Sequence, residues 1–510
     1  MTHVIAGERR LALLELQARA ARAASGLRAL GIGEGGAVAL MLRNDFAFFE
    51  ASLAAALVGA YATPLNWHFT AEEAGYILRD AGAGALVVHA DLWPQIAAGA
   101  PKEIAVFAVP TPPEIAAAYG IGAPAAAFPS GMATWGEWLE HQAPLAGATP
   151  PPRASMIYTS GTTGRPKGVR RDPMTPALAA ANESVVAHVF GLKPGAPAVV
   201  LMNGPMYHSA PNAYGLASVR VGASIVLQPR FDAEEMLALI ERHRVSHMHV
   251  VPTMFVRLLK LPEAMRKRHD LSSLRFVVHG AAPCPASVKR AMIDWWGPVI
   301  HEYYGSTETG IPAWISAEES LKRPGAAGRV LPGAKIEIFD DAGRGLPPGE
   351  IGEIYVRATY VPDFTYQGQD AVRRAVAKGD LVTVGDVGWL DREGYLYLCD
   401  RKRDMVISGG VNIYPAEIEA ALVAHPAVKD CAAFGIPDEE FGESLCAHVE
   451  LQPGKPATAD EIRAYLGQHL AKFKIPKTIV FATALPREDS GKIFKRKLRA
   501  PYWEKAGRAI

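Results

Sequence analysis

Leucines and alanines recur at helical spacing over residues 9–33 and stop at Gly31, which predicts a first helix. The unbroken apolar run 37–42 reads as a buried strand, and 46–59 as a second helix. The alternation returns at 84–97, at 198–228 and from 231 to 282, where an amphipathic segment precedes "MHVVP" and then "RFVVHG". Strands alternating with helices predict layered α/β sheets. From about residue 325 the texture changes. Short runs ("AKIEIFD", "GEIYVR", "YLYLCDR") separated by Gly, Pro and Asp predict a smaller, barrel-like β module. After Asp400 the charged "RKRDMV" leads into helix 415–424, strands 429–435 and 445–451, and helix 459–470. The fold class expected is α/β (α+β overall), with an N-terminal domain over 1–400, a hinge at 401–404 and a small α+β domain over 405–510. The Ala- and Pro-rich residues 96–128 predict an irregular excursion.

Composition narrows the function classes. The longest apolar stretch, Ala51 to Leu65, is interrupted by Gly59 and Tyr61, so it is a core helix rather than a membrane span. Charged residues make up 21% of the 510 and nearly cancel to +1, which calls for no nucleic-acid partner and no anionic membrane. Neither a signal peptide nor a peroxisomal tripeptide is readable at the ends. The four cysteines, Cys284, Cys399, Cys431 and Cys446, form no C-x-x-C pair, and a reducing cytoplasm is the expected setting.

Candidate chemistry begins at 158–169, "YTSGTTGRPKGV". Glycines allow close backbone approach, hydroxyls donate hydrogen bonds, and one lysine adds charge, a set suited to a polyanion such as triphosphate. The P-loop spacing G-x-x-x-x-G-K-[ST] is absent, so this is a phosphate binder of another design, or else a solvated polar loop. Downstream stand "GPMYHSAP" (204–211), "VHGAAPCP" (278–285), "EYYGSTETG" (302–310), "VGDVGWLDREGYLYLCDRKRDMVISGGVNIYPAEIE" (384–419) and "LPREDSGKIFKRKLR" (485–499).

In this order these stretches resemble the adenylate-forming superfamily, which includes acyl-CoA synthetases, firefly luciferase and peptide-synthetase adenylation domains. The likeness runs from about residue 8 to the C-terminus and is strongest to the acyl-CoA synthetase, or fatty-acid–CoA ligase, group. It implies a two-step reaction with ATP, Mg²⁺ and coenzyme A: carboxylate attack on the α-phosphate, then thiol attack on the acyl-adenylate.

The resemblance also assigns roles. Thr159, Ser160, Gly161, Thr162, Thr163, Gly164 and Lys167 would wrap the phosphates, with Lys167 a mobile counter-charge. Glu308 would hold Mg²⁺ with Thr162, Tyr304 would stack on adenine, and Thr307 would contact the α-phosphate. Gly280, Ala281 and Ala282 would let the base and the acid slide against backbone, and Asp386 and Arg401 would take the ribose. From spacing alone any of Lys492, Lys495, Arg496 and Lys497 belongs equally to a solvated basic run. The resemblance selects Lys492 as the catalytic cation, Arg403 as the hinge residue of a mobile C-terminal domain, and Gly410 as lining the thiol's tunnel. His208 would stand at the start of the acid tunnel as a gate or positioning group, with a purely structural histidine left open. His243, His247 and His249 have metal-like spacing, but they fall on a helix end and a strand with no Cys or carboxylate to complete a set.

The expected activity is an ATP-dependent acid–CoA ligase for a hydrophobic acid: medium- or long-chain fatty, aryl or steroid side-chain. A stand-alone enzyme loading a carrier protein and a non-catalytic nucleotide or acyl sensor are the alternatives. A homodimer is left open.

Overall fold

A computed structural model describes residues 2–122, 132–159, 165–409, 411–487 and 493–505. Among these the strands form four sheets. One is wholly parallel, in the order Tyr61–Pro64, Ala37–Met41, Ala83–His89, Ala105–Val109, Ala133–Thr134. Ala37–Met41 is buried at every position, as a central strand covered on both faces must be.

The largest sheet starts with the antiparallel edge pair Arg9–Ala12 and His3–Ala6. It continues parallel through Ser224–Leu227, Val199–Met202, His247–Val250, Phe276–His279 and Ile300–Ser306. It then runs antiparallel through Gly310–Ile315, Ala326–Val330, Tyr395–Arg401, Asp386–Leu390 and Gly352–Ala358. The β-rich region after 325 is therefore hydrogen-bonded to the parallel half rather than standing apart. The reversal of direction falls at residues 307–309, the turn that carries Thr307 and Glu308.

A three-stranded sheet joins Phe364–Tyr366, Lys167–Arg171 and Ile157–Thr159, so the stretch after the glycine-rich loop is clamped on both sides. The fourth sheet uses only residues after 405: Val411–Ile413, Val406–Ser408, Gly442–Leu451, Val428–Asp438 and Thr478–Ala482. Helices Pro415–Ala424 and Ala459–His469 bury Ile418, Leu422, Ile462 and Leu466 in the core beside it. Lys260 Nζ crosses to this lobe, donating to the carbonyls of Val428, at 3.1 Å, and Lys429.

Three local expectations are corrected. The first helix spans Leu13–Ala29, because Gly7 turns at φ 56° and Arg9–Ala12 folds back on His3–Ala6. Arg9 is drawn there by Asp45 and Glu114. The apolar stretch 51–65 is not one helix. The helix ends at Leu57, Gly59 turns at φ +71°, and Tyr61–Pro64 is a strand. Within 96–128, Ala105–Val109 forms a sheet strand and Pro113–Tyr119 a helix, order that the alanine-rich composition masked.

Candidate active site

Ligands of open α/β sheets gather beyond the carboxyl ends of the parallel strands. Here those ends, the antiparallel strands and the C-terminal lobe enclose a cleft of about 3520 Å³. Side chains alternate along Ile300–Ser306, so its two tyrosines point to opposite sides. Tyr304 OH donates to Asp386 Oδ2 at 2.8 Å. Tyr303 OH lies 2.9 Å from His249 Nε2. Asp386 and Arg401 are paired directly across neighbouring strands, with Arg401 Nε 3.2 Å from Asp386 Oδ1. One carboxylate thus touches both a phenol and a guanidinium. Burial, then the neighbouring Asp386 charge, holds the Tyr304 phenol far above its ordinary pKa, so it stays a donor.

The turn at 307–309 is held from below by Arg171. Its Nη2 donates to the carbonyls of Thr307 (3.0 Å) and Glu308 (2.5 Å), and its Nη1 to that of Pro362. Burial lowers this guanidinium to about 10, still charged at neutral pH. With the backbone pinned, the Glu308 carboxylate accepts from Thr159 Oγ1 and Tyr366 OH, both at 3.3 Å. A carboxylate ringed by hydroxyls and facing a cleft fits a hard divalent cation such as magnesium, which takes one or two protein carboxylates and fills its shell with substrate phosphates and water.

Lys167 is buried at the edge of the cleft, opposite Thr159 in the strand pair, with Nζ 5.4 Å from the centre of the Tyr366 ring. Ala281 adopts φ +67°, a left-handed conformation costly for alanine, and lines the cleft with Ala282. Gly280 is buried beneath them, and a Cβ there would lie 2.8 Å from the Tyr303 ring. Its smallness makes room for the Tyr303 ring. His208 is the N-cap residue of helix Ser209–Arg220, its ring 4.3 Å from that of Tyr207. Arg403 lines the cleft, and its carbonyl accepts from Arg499 Nη1 at 3.3 Å. Of the three spaced histidines, His247 bonds Ser246 and His249 bonds Tyr303, while His243 ends a helix. Ser160, Gly161, Thr162, Thr163, Gly164, Gly410 and Lys492 lie outside the described residues.

Two features escaped the sequence reading. Arg171 sits four residues past Lys167, and its place just beyond a phosphate-type loop was the only available signal. Lys495 looked like one of four interchangeable cations, yet its Nζ lies 2.7 Å from Glu419 Oε1. Burial works to lower its pKa, but Glu419 and Asp400 carry it upward. Asp400 in turn accepts from the amides of Arg401 (2.8 Å) and Ala416 (2.9 Å). This buried cluster ties the strand before Arg403 to the helix after Lys492.

A two-lobed fold whose cleft carries this constellation defines a nucleotide-dependent ligase class, and comparison with known proteins makes the assignment specific. Residues 1–362 match the AMP-binding enzyme model and residues 417–492 the AMP-binding enzyme C-terminal domain, so the chain belongs to the AMP-binding enzyme family. It is 32% identical to the long-chain-fatty-acid–CoA ligase FadD13 of Mycobacterium tuberculosis, over 97% of this chain and 93% of that one. It is 33% identical to an indoleacetate–CoA ligase of Aromatoleum aromaticum, over 96% and 93%. Among solved structures, ATP-bound MatB from Rhodopseudomonas palustris superposes with a TM-score of 0.83 at 29% identity, covering 98% and 96% of the two chains. The protein is an acid–thiol ligase of the acyl-CoA synthetase group, and ATP and coenzyme A as substrates fit that family. Among the described residues no helix is long and apolar enough to cross a membrane.

Proposed function

We propose that the protein joins a hydrophobic carboxylic acid to coenzyme A in two steps. The acid's carboxylate attacks the α-phosphorus of ATP; a C–O–P linkage forms and the bond to pyrophosphate breaks. The thiolate of coenzyme A then attacks the acyl carbonyl, and AMP departs with the C–O bond's electron pair. The observation that carries this reading is convergence. Tyr304, Lys167, Asp386 and Arg401 come from four strands and Glu308 from the 307–309 turn, and all five line one cleft.

In that reading Asp386 accepts from the ribose hydroxyls while Arg401 and Tyr304 hold it in place, and Tyr304 also presents its ring to adenine. Thr307 and Lys167 donate to phosphate oxygens. The first step sets one anion against another, so its barrier falls with every fixed positive group near the phosphate. Glu308, with Thr162, would hold magnesium, which would supply charge neutralisation. Lys492 would bridge the attacking carboxylate and the α-phosphate. The domain over 405–510 would then turn about Arg403, withdrawing Lys492 and bringing Gly410 to the thiol's path.

A pyrophosphate-release assay on ATP with a panel of carboxylic acids tests this. Acid-dependent release without CoA, followed by AMP and acyl-CoA when CoA is added, is the expected result. Release that never depends on an acid overturns it. Thioester appearing only on a phosphopantetheinylated carrier would replace CoA as acceptor.

A further inference from the structure

Helix Ser209–Arg220 begins beside His208 and leaves five residues unburied: Ser209, Ala210, Ala213, Leu216 and Arg220. All five line the cleft. At 1.5 Å per residue the stripe runs about 18 Å away from His208. A second helix, Pro176–Phe190, lines the same cleft with Ala179, Asn182, Glu183, Val185 and Val186. The two touch where Phe190 meets Tyr214, ring centres 5.1 Å apart. Glu183 lies seven residues before that contact and Arg220 six residues after its partner. Each is therefore about 10 Å from that contact along its own helix axis, and Glu183 is near enough to act on the Arg220 charge.

The middle of this groove, lined by Ala210, Ala213, Leu216, Val185 and Val186, is apolar. The far end is not. Arg220 is exposed at the cleft, where desolvation lowers its pKa while Glu183 pulls the other way. No ion pair or side-chain hydrogen bond of the Arg220 guanidinium is formed among the described residues, and Glu183 stays beyond salt-bridge distance. A methyl-terminated chain reaching this point would strip water from the guanidinium without replacing its hydrogen bonds, which is costly. A carboxylate would replace them with charge-assisted ones, two in parallel at best.

We propose that Arg220 selects acids with a second, distal carboxylate, so that the preferred substrate class is a long-chain α,ω-dicarboxylic acid activated at one end and held by Arg220 at the other. This rests on the ligase reading of the cleft. Leu216, Ala217, Val185 and Val186 cover the methylene chain, and Glu183 balances the guanidinium while the groove is empty.

The test compares dodecanedioate and hexadecanedioate with dodecanoate and hexadecanoate by pyrophosphate release, in the full-length enzyme and in Arg220→Gln, Arg220→Lys and Arg220→Glu. The wild-type enzyme should favour a diacid over the monoacid of equal length. Arg220→Gln should cut that preference roughly 10- to 100-fold, in KM rather than kcat, the size of one lost charge-assisted hydrogen-bond pair. Arg220→Lys should restore part of it, and Arg220→Glu should turn the preference toward 12-aminododecanoate. Equal effects on monoacid and diacid, or no wild-type preference for the diacid, would overturn the proposal and leave the ligase reading standing. Absence of pyrophosphate release with every acid would remove the ligase reading itself, and the proposal with it.

Discussion

The two ends of the cleft are built differently. At the end proposed for the nucleotide, Tyr304, Asp386, Arg401, Arg171 and Glu308 sit on strands or on the turn between strands. Asp386 faces Arg401 across a ladder, Tyr304 reaches over to Asp386, and Arg171 pins the 307–309 turn. Its geometry is set by backbone hydrogen bonds. At the acid end the walls are faces of two helices, and one of them, Pro176–Phe190, buries only Val189 and Phe190. A helix face can change its side chains without disturbing the sheet beneath. On the proposed assignment, the difference means that strand-held groups would serve the reaction while replaceable helix faces would choose the acid.

The comparison breaks or sharpens by substitution. Lys492→Ala should cost about 10²–10³-fold in acyl-adenylate formation, the loss typical of one group stabilising transition-state charge. Thioester formation from supplied acyl-adenylate should persist, and Gly410→Leu should do the reverse, with acyl-adenylate accumulating. Rapid-quench measurement of the two half-reactions decides, and equal loss of both in either variant contradicts the division of labour.

Arg171→Ala strips the 307–309 turn and Pro362 of their common donor. A charged donor lost to buried carbonyls costs about 2–3 kcal/mol, read as a lower urea midpoint. Activity should fall by the same factor for every acid in the panel. An acid-dependent loss would mean that the turn also shapes the acid end.

Two histidines of the largest sheet make a pH signature. Burial lowers His249 and His301 from 6.5 to about 4. The unfolded chain therefore takes up these protons first, so the stability they contribute is complete above about pH 6.5 and is lost as pH falls toward 4. Each contributes a slope of about 1.4 kcal/mol per pH unit within that window. Urea titrations of the wild type and of His249→Gln with His301→Gln, at several pH values, should show the double variant losing less on acidification. Parallel profiles would contradict the buried neutral state.

The smallest effect is expected from Tyr304→Phe. It removes one hydroxyl from Asp386 while keeping the ring, worth about 1 kcal/mol, or roughly fivefold in KM for ATP. KM for the acid should not move. A shift confined to the acid would assign Tyr304 to the wrong end.

Much of the nucleotide end was legible in the sequence, because a turn or a strand end that must carry a given group leaves a short ordered motif. "EYYGSTETG" contains Tyr304, Thr307 and Glu308 within five residues, and the structure sets them on one strand end and its turn. Asp386 and Arg401 were readable as candidates, but their pairing across a ladder was not, since fifteen residues of chain separate them. The burial of Lys167 depends on Phe364–Tyr366 folding over it, a strand nearly two hundred residues away. The helical reading of 9–12 failed for a similar reason. Arg9 answers to Asp45 and Glu114, and distant charges outweighed local spacing.

By itself the sequence determined the family, the acid–thiol ligase class and the layered α/β plan, because those are written as local motifs and local periodicity. Only the tertiary structure decided that Arg171 holds the 307–309 turn, that Lys495 pairs with Glu419 near Asp400, and that Arg220 and Glu183 line one cleft. Those relations join residues remote in the chain. Their energies depend on distance and desolvation, which exist only once the chain has folded.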